Sequence, residues 1–164
     1  MEYKSQKELE RALRQSARKA IEWLTKQVYD KLKEFIDEDI YESYTPTRYE
    51  RTYEFRDKAW QVDEIPYEFA GEIASIIWFN PNLMSYNGSK YQHGNESEDR
   101  REKLAEILNR TVWDWSDWDF GRPTKDQIEG EYPRPFWDDF MGWLSENWDS
   151  LAKKAFLKVG IKII

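Results

Sequence analysis

Few residues in this chain have the type and spacing for chemistry. Asp114, Asp117 and Asp119 put three carboxylates within six residues, interleaved with Trp113, Trp115 and Trp118. Hard cations such as calcium take oxygen ligands of this kind, but the Asp-x-Asp-x-Asp-Gly spacing and distal Glu of an EF-hand are missing. A carboxylate pair beside indole platforms could also serve glycoside hydrolysis or passive sugar binding. Hydrolysis needs two carboxyl groups ~5–10 Å apart across a cleft, which spacing along a chain does not establish. The single histidine, His93, sits in Gln-His-Gly-Asn, a turn setting. With no cysteine and no second histidine, a zinc site would rest on carboxylates alone, which is unusual. Neither a Gly-x-Ser-x-Gly nucleophile elbow nor a phosphate-cradling glycine loop occurs. The expectation is a protein with no catalytic residues, no metal and no cofactor.

The elements around these residues are better marked than the residues themselves. Ser5 and Glu8 have the spacing of a capping box. Leu9, Leu13, Ala17, Ala20/Ile21, Leu24, Val28, Leu32 and Phe35/Ile36 follow at steps of three or four. That spacing predicts one amphipathic helix from about residue 5 to Tyr41, stopped by Pro46. Some 38 helical residues span roughly 57 Å. A compact domain of this length is only about 40 Å across. The helix must bend, or carry its end onto a partner chain.

Residues 52–60 alternate Tyr53, Phe55 and Ala59 and read as a strand, and β-branched and aromatic residues 67–79 read as a second. The two are expected to pair antiparallel through a loop near Asp63–Pro66, with a bulge at Gly71. Turn residues fill 80–96. Ser97 caps a short helix over 97–109, with Leu104, Ile107 and Leu108 facing inward. Residues 111–134 read as a long loop rich in Trp and Asp. A second long helix covers 135–159, opened by Pro135 and closed by Gly160. Its stripe is Trp137, Phe140/Met141, Leu144, Trp148, Leu151/Ala152, Ala155/Phe156 and Val159. The fold class is α+β in one domain, 1–164: a long N-terminal helix packed on a small antiparallel sheet, a short middle helix and a long C-terminal helix.

The chain has 164 residues and a net charge of -7, which argues against a simple duplex-DNA binder. Residues 1–36 hold nine Lys/Arg against six Asp/Glu, about +3; residues 113–149 hold three against ten, about -7. Opposite signs at the two ends suit docking between chain ends or between copies. Six of the nine Trp fall between Trp113 and Trp148. That is more than one core layer takes easily, and aromatic clusters are common at interface centres. No apolar run approaches the ~18 residues of a membrane span, and no signal-peptide core is seen, so the sequons at Asn87, Asn95 and Asn109 are read as chance.

The order of these features resembles the minor head–tail joining proteins of long-tailed bacteriophages, the tail-completion or neck family. The turn Tyr44-Thr-Pro46-Thr-Arg48-Tyr49-Glu-Arg51-Thr52 is similar to that family's Tyr-x-Pro-x-x-Tyr-x-Arg-Thr turn between helix and strand. Phe79-Asn-Pro81-Asn-Leu-Met84, His93-Gly94 and the Phe136 to Leu144 helix start match its later features in order. The 111–134 loop is longer and richer in Trp than the family pattern. The resemblance implies a non-enzymatic virion protein, assembled in the host cytoplasm and placed in the neck or tail region. It implies a homo-oligomeric ring, a hexamer or dodecamer, between connector or adaptor and tail-terminator or tail-tube proteins. DNA would pass through the channel without sequence-specific binding, and no membrane is involved. Arg48, Tyr49, Arg51, Trp113, Trp115, Trp118 and Trp137 are the expected interface residues. Two other readings stand beside this one: a carbohydrate-binding module using the Trp loop, and a small adaptor with no phage role.

Overall fold

The computed structural model describes residues 4–42, 52–63, 65–85 and 136–162. The fold is α+β and mostly helical, with a long N-terminal helix, a small strand region and a C-terminal helix. The expected middle helix at 97–109 and the 111–134 loop lie outside the described residues.

Helix α1 runs from Gln6 to Ile36. No Gly or Pro falls within it, so no helix breaker interrupts it. The capping box forms in a shifted version. Glu8 N–H donates to Ser5 Oγ at 3.2 Å, while the Glu8 carboxylate takes the N–H of Lys4 at 2.8 Å. Buried positions then recur every four residues: Ala20, Leu24, Val28, Leu32, Ile36 and Ile40. At 3.6 residues per turn, a step of four drifts ~40° each time, so the buried line winds around the helix. The last of these falls in a π-turn, Asp37–Tyr41, where Glu42 N–H donates five residues back to Asp37 O at 2.8 Å.

The start of the stripe departs from expectation. Leu9 and Leu13 are 38% and 46% exposed, so the first turns of α1 carry an apolar face left partly in solvent.

The strand expected at 52–60 is mostly helical. A π-turn covers Phe55–Ala59, and strand β1 starts only at Trp60 and ends at Val62. Arg56 and Asp57 donate N–H bonds to Tyr53 O at 3.1 and 2.9 Å, and Lys58 reaches back to Glu54 at 2.6 Å. That spacing of four is helical support which the Tyr53–Phe55 alternation hides. The single strand expected over 67–79 is three: β2 Tyr67–Phe69, β3 Glu72–Ala74 and β4 Ile77–Phe79. Gly71 makes a turn rather than a bulge. Ala70 and Gly71 have φ of 52° and 85°, and Phe69 pairs with Glu72. Two positive-φ residues between paired strands are the type I′ hairpin pattern. β1 pairs with β4 in a second two-stranded sheet. Asn80 N–H bonds Ala59 O and Asp63 N–H bonds Ile76 O, so those strands run in opposite directions as expected.

Helix α2, Phe136–Lys158, falls where the stripe predicts it. Asp138 and Asp139 in its first turn and Lys158 in its last complement the helix dipole. Gly160, at φ 80°, closes it: its N–H bonds Leu157 O at 3.0 Å and Ile161 N–H bonds Phe156 O at 2.9 Å, a Schellman motif.

The chain divides into two compact units. The first takes α1 through Lys31, the strands between Val62 and Trp78, and α2 from Met141. Its buried residues are Ala20, Leu24, Val28 and Ala155. The second takes α1 from Leu32, the chain to Gln61, and Phe79 onward through Phe140. Its core is larger and aromatic: Leu32, Ile36, Phe55, Trp60, Met84, Phe136 and Phe140.

Candidate assembly surface

Within the second unit, one short turn gathers contacts from three parts of the sequence. Phe55 packs edge-on against Phe136 at 5.7 Å and against Trp60 at 6.2 Å, and lies 5.6 Å from Phe79. Trp60 meets Phe79 at 5.3 Å and Phe136 at 6.2 Å. Aromatic pairs in such offset and edge-to-face arrangements add to the burial of their area.

Glu54, on the same turn, is a buried carboxylate only 7% exposed. Lys58 Nζ donates to Oε1 at 2.6 Å; the Ser85 N–H and hydroxyl donate to Oε2 at 2.7 and 2.6 Å. The lysine and serine donors hold its carboxyl down at about 2, against the desolvation that would raise it.

Arg56 carries the third contact. Its guanidinium binds Asp37 at 2.6 Å and grips Asp57 with Nε and a terminal nitrogen at 2.8 and 2.9 Å. It lies 5.1 Å from the Tyr53 ring centre and 5.9 Å from that of Tyr41. The two tyrosine rings are 4.6 Å apart. Asp57 and Asp37 raise the Arg56 pKa further, so its charge is permanent. Burial pushes the Tyr41 hydroxyl up to about 12, so it stays protonated at neutral pH. Tyr53 itself takes a φ of 55°, a conformation that costs a non-glycine residue about 1–3 kcal/mol. The tilted Tyr41 ring and the Arg56 guanidinium pack against it there.

The turn therefore ties together described residues far apart in sequence: Tyr41–Tyr53 and Asp37–Arg56 join it to the end of the N-terminal helical run, Glu54 holds Ser85, and Phe55 packs on Phe136. Arg48, Tyr49, Arg51, Trp113, Trp115 and Trp118 lie outside the described residues. Trp137 is described. Its ring stacks on Trp60 at 5.5 Å and 14° and leans on Phe140, with one side open to solvent. Sequence reasoning placed Phe55 on a strand face and missed Glu54 and Arg56. The signal available was the Glu54–Lys58 spacing of four.

The first unit presents surface instead of a clamp. Arg14 and Arg18 of α1 both bind Glu68 of β2, the latter at 2.9 Å. Tyr67 and Phe69, on the opposite face of that strand, stay exposed. Among the described residues no group of three or more His, Cys, Asp or Glu could hold a metal ion, and no helix is long and apolar enough to cross a membrane.

These features define a small α+β protein whose most organised polar side chains brace chain segments. The chain belongs to the YomN family, whose model matches residues 5–158. No curated protein and no solved structure matches it.

Proposed function

We propose that this protein is a non-enzymatic structural component of a phage particle, acting in head–tail joining or tail completion as a ring of identical copies. Membership of the YomN family is consistent with a phage protein. The observation that carries the reading is Trp137, an expected interface residue whose ring stacks on Trp60 and stays 37% exposed on the unit braced by Glu54, Phe55 and Arg56. Aromatic and arginine side chains are the ones that carry binding energy at such surfaces.

The test is assembly. Replacing Trp113, Trp115 and Trp118 with Ser is expected to leave the circular dichroism of the monomer unchanged. Rings seen by particle imaging and light scattering for the parent chain should be lost. A triple variant that still forms rings would remove the Trp segment from the interface. A parent chain that stays monomeric at assembly concentration and binds specific sugars on a glycan array would favour the carbohydrate-binding alternative.

A further inference from the structure

Helix α1 carries a line of cations away from its apolar stripe. Lys7, Arg11, Arg14 and Arg18 recur at steps of four, three and four. At 3.6 residues per turn they fall within an arc of ~60° and span ~16 Å of helix. Leu9 and Leu13 lie at least ~100° further round. Lys7, Arg11 and Arg14 are exposed, and Arg18 keeps 43% of its side chain in solvent. Lys4 stands just ahead of the first turn. Residues 4–19 hold six Lys/Arg against two acids, Glu8 and Glu10, which flank the line. Both acids are engaged: Glu8 accepts the Lys4 N–H at 2.8 Å and Glu10 the Gln6 amide at 2.9 Å.

One pair on this line already holds an oxyanion. Arg14 and Arg18, four residues apart, take the two oxygens of the Glu68 carboxylate, Arg14 on Oε1 and Arg18 on Oε2 at 2.9 Å. Lys7 and Arg11 have the same spacing on the same line, about two turns nearer the helix start. Among the described residues neither forms an ion pair. The line is therefore an oxyanion track. The chain's own carboxylate occupies one end, and the other end faces solvent.

We infer that Lys7 and Arg11, with Lys4 beside them, bind the phosphates of a nucleic-acid backbone without reading its base sequence. Charge calls for a polyanion, and the shape of the line selects which. A nucleic-acid strand is a rod with regularly spaced negative charge, so it meets a single helix edge along its length. An anionic lipid surface is a plane. It would face Glu8 and Glu10 together with the cations, on a chain whose net charge is -7. That net charge argues against duplex binding by the molecule as a whole and confines the contact to this edge. Three cations make a weak contact that salt loosens. The contact belongs to a single subunit and does not rest on ring formation.

Anisotropy of a fluorescein-labelled duplex of about 20 base pairs, titrated with the full chain at about 50 and 200 mM salt, tests it. Three phosphate contacts, each adding about -0.9 to the slope of log affinity against log salt, predict roughly 40-fold weaker binding at the higher salt. Lys7→Gln combined with Arg11→Gln should keep the parent circular dichroism, bind more weakly at low salt, and cut that salt-driven loss to about fourfold. Lys153→Gln combined with Lys154→Gln removes the same charge from exposed positions of α2 and should bind like the parent. A duplex of unrelated sequence should bind equally well. No duplex binding by the parent, or equal weakening in the two double variants, overturns the inference. Phosphatidylserine vesicles or polyglutamate that displace the labelled duplex at a lower charge concentration than unlabelled duplex does also overturn it, and assign the line to a lipid surface or an acidic protein. A parent that binds duplex and forms no rings keeps this contact and sinks the ring. Rings from a parent that binds no duplex do the reverse.

Discussion

The two units use similar side chains for opposite ends. The second packs an aromatic core, in which Phe55, Trp60, Phe79 and Phe136 lie within about 6 Å of one another in several pairs and Phe136 is almost fully buried, and leaves Tyr53 and Trp137 partly exposed. The first leaves Tyr67, Phe69, Leu9 and Leu13 in solvent and buries mainly Ala20, Leu24, Val28 and Ala155. The lesson concerns polar groups as much as apolar ones. In the second unit a buried carboxylate and a paired guanidinium brace segments distant in sequence. In the first, the Arg14–Glu68–Arg18 bridge is exposed and aims a hairpin. One unit is built to hold and the other to present.

That contrast breaks most directly under core truncation. Phe136→Ala should cost about 3–5 kcal/mol and Leu32→Ala about 2–5 kcal/mol, because both side chains are fully buried. Leu13→Ala, on the presenting surface, should fall near ±0.5 kcal/mol in the isolated subunit. Urea unfolding of the three variants decides it. Equal losses would mean that Leu13 is core and the comparison wrong.

The next effect belongs to Glu54. Removing its charge with Glu54→Gln weakens the Lys58 and Ser85 contacts and should cost about 1–3 kcal/mol at pH 7. Its pH dependence follows from the lowered carboxyl. The stabilisation is present above the ordinary value of 4.5 and is lost as pH falls from there toward about 2. Stability of the parent should therefore drop more steeply than that of the variant between pH 4.5 and 2. Parallel curves would show that Glu54 is not the acid-sensitive brace.

Gly142 sharpens the comparison from the other side. It sits inside α2 in the presenting unit, and a Cβ there would meet open space. Gly142→Ala should stabilise the subunit by about 0.5–1 kcal/mol through helix propensity alone. A loss in melting temperature would mean that something packs on that position.

The smallest effect expected is at Asp39 in the holding unit. Burial, then Asp139 and Glu38, raise its carboxyl above 3.8, and its Oδ2 is buried without a hydrogen-bond partner. The ionised form is thus penalised in the folded state. That penalty is felt at pH 7 and fades as pH falls through the raised value and below 3.8. Asp39→Asn should be slightly more stable than the parent at pH 7 and indistinguishable from it in acid. A gain that persists at low pH would point to a cause other than charge.

Local rules were sufficient for the two long helices. Uninterrupted helix formers and a capping serine set α1, and the Gly160 position ended α2, because caps and propensities act within one or two turns. They also indicated α+β and antiparallel pairing. They did not separate a π-turn from a strand at 54–59, since Tyr53, Phe55 and Ala59 alternate in a way that suits either. Nor did they divide 67–79, where one left-handed alanine before Gly71 turns a long strand into a hairpin. Apolar periodicity names the face of a helix and is blind to what covers it. So Leu9 and Leu13 belonged to the same stripe as Leu24 and Leu32, and only tertiary structure decided that the first pair is exposed and the second buried. The same holds for the brace. Glu54, Ser85, Phe55 and Phe136 are distant in sequence, and their meeting depends on long-range packing that no local pattern encodes.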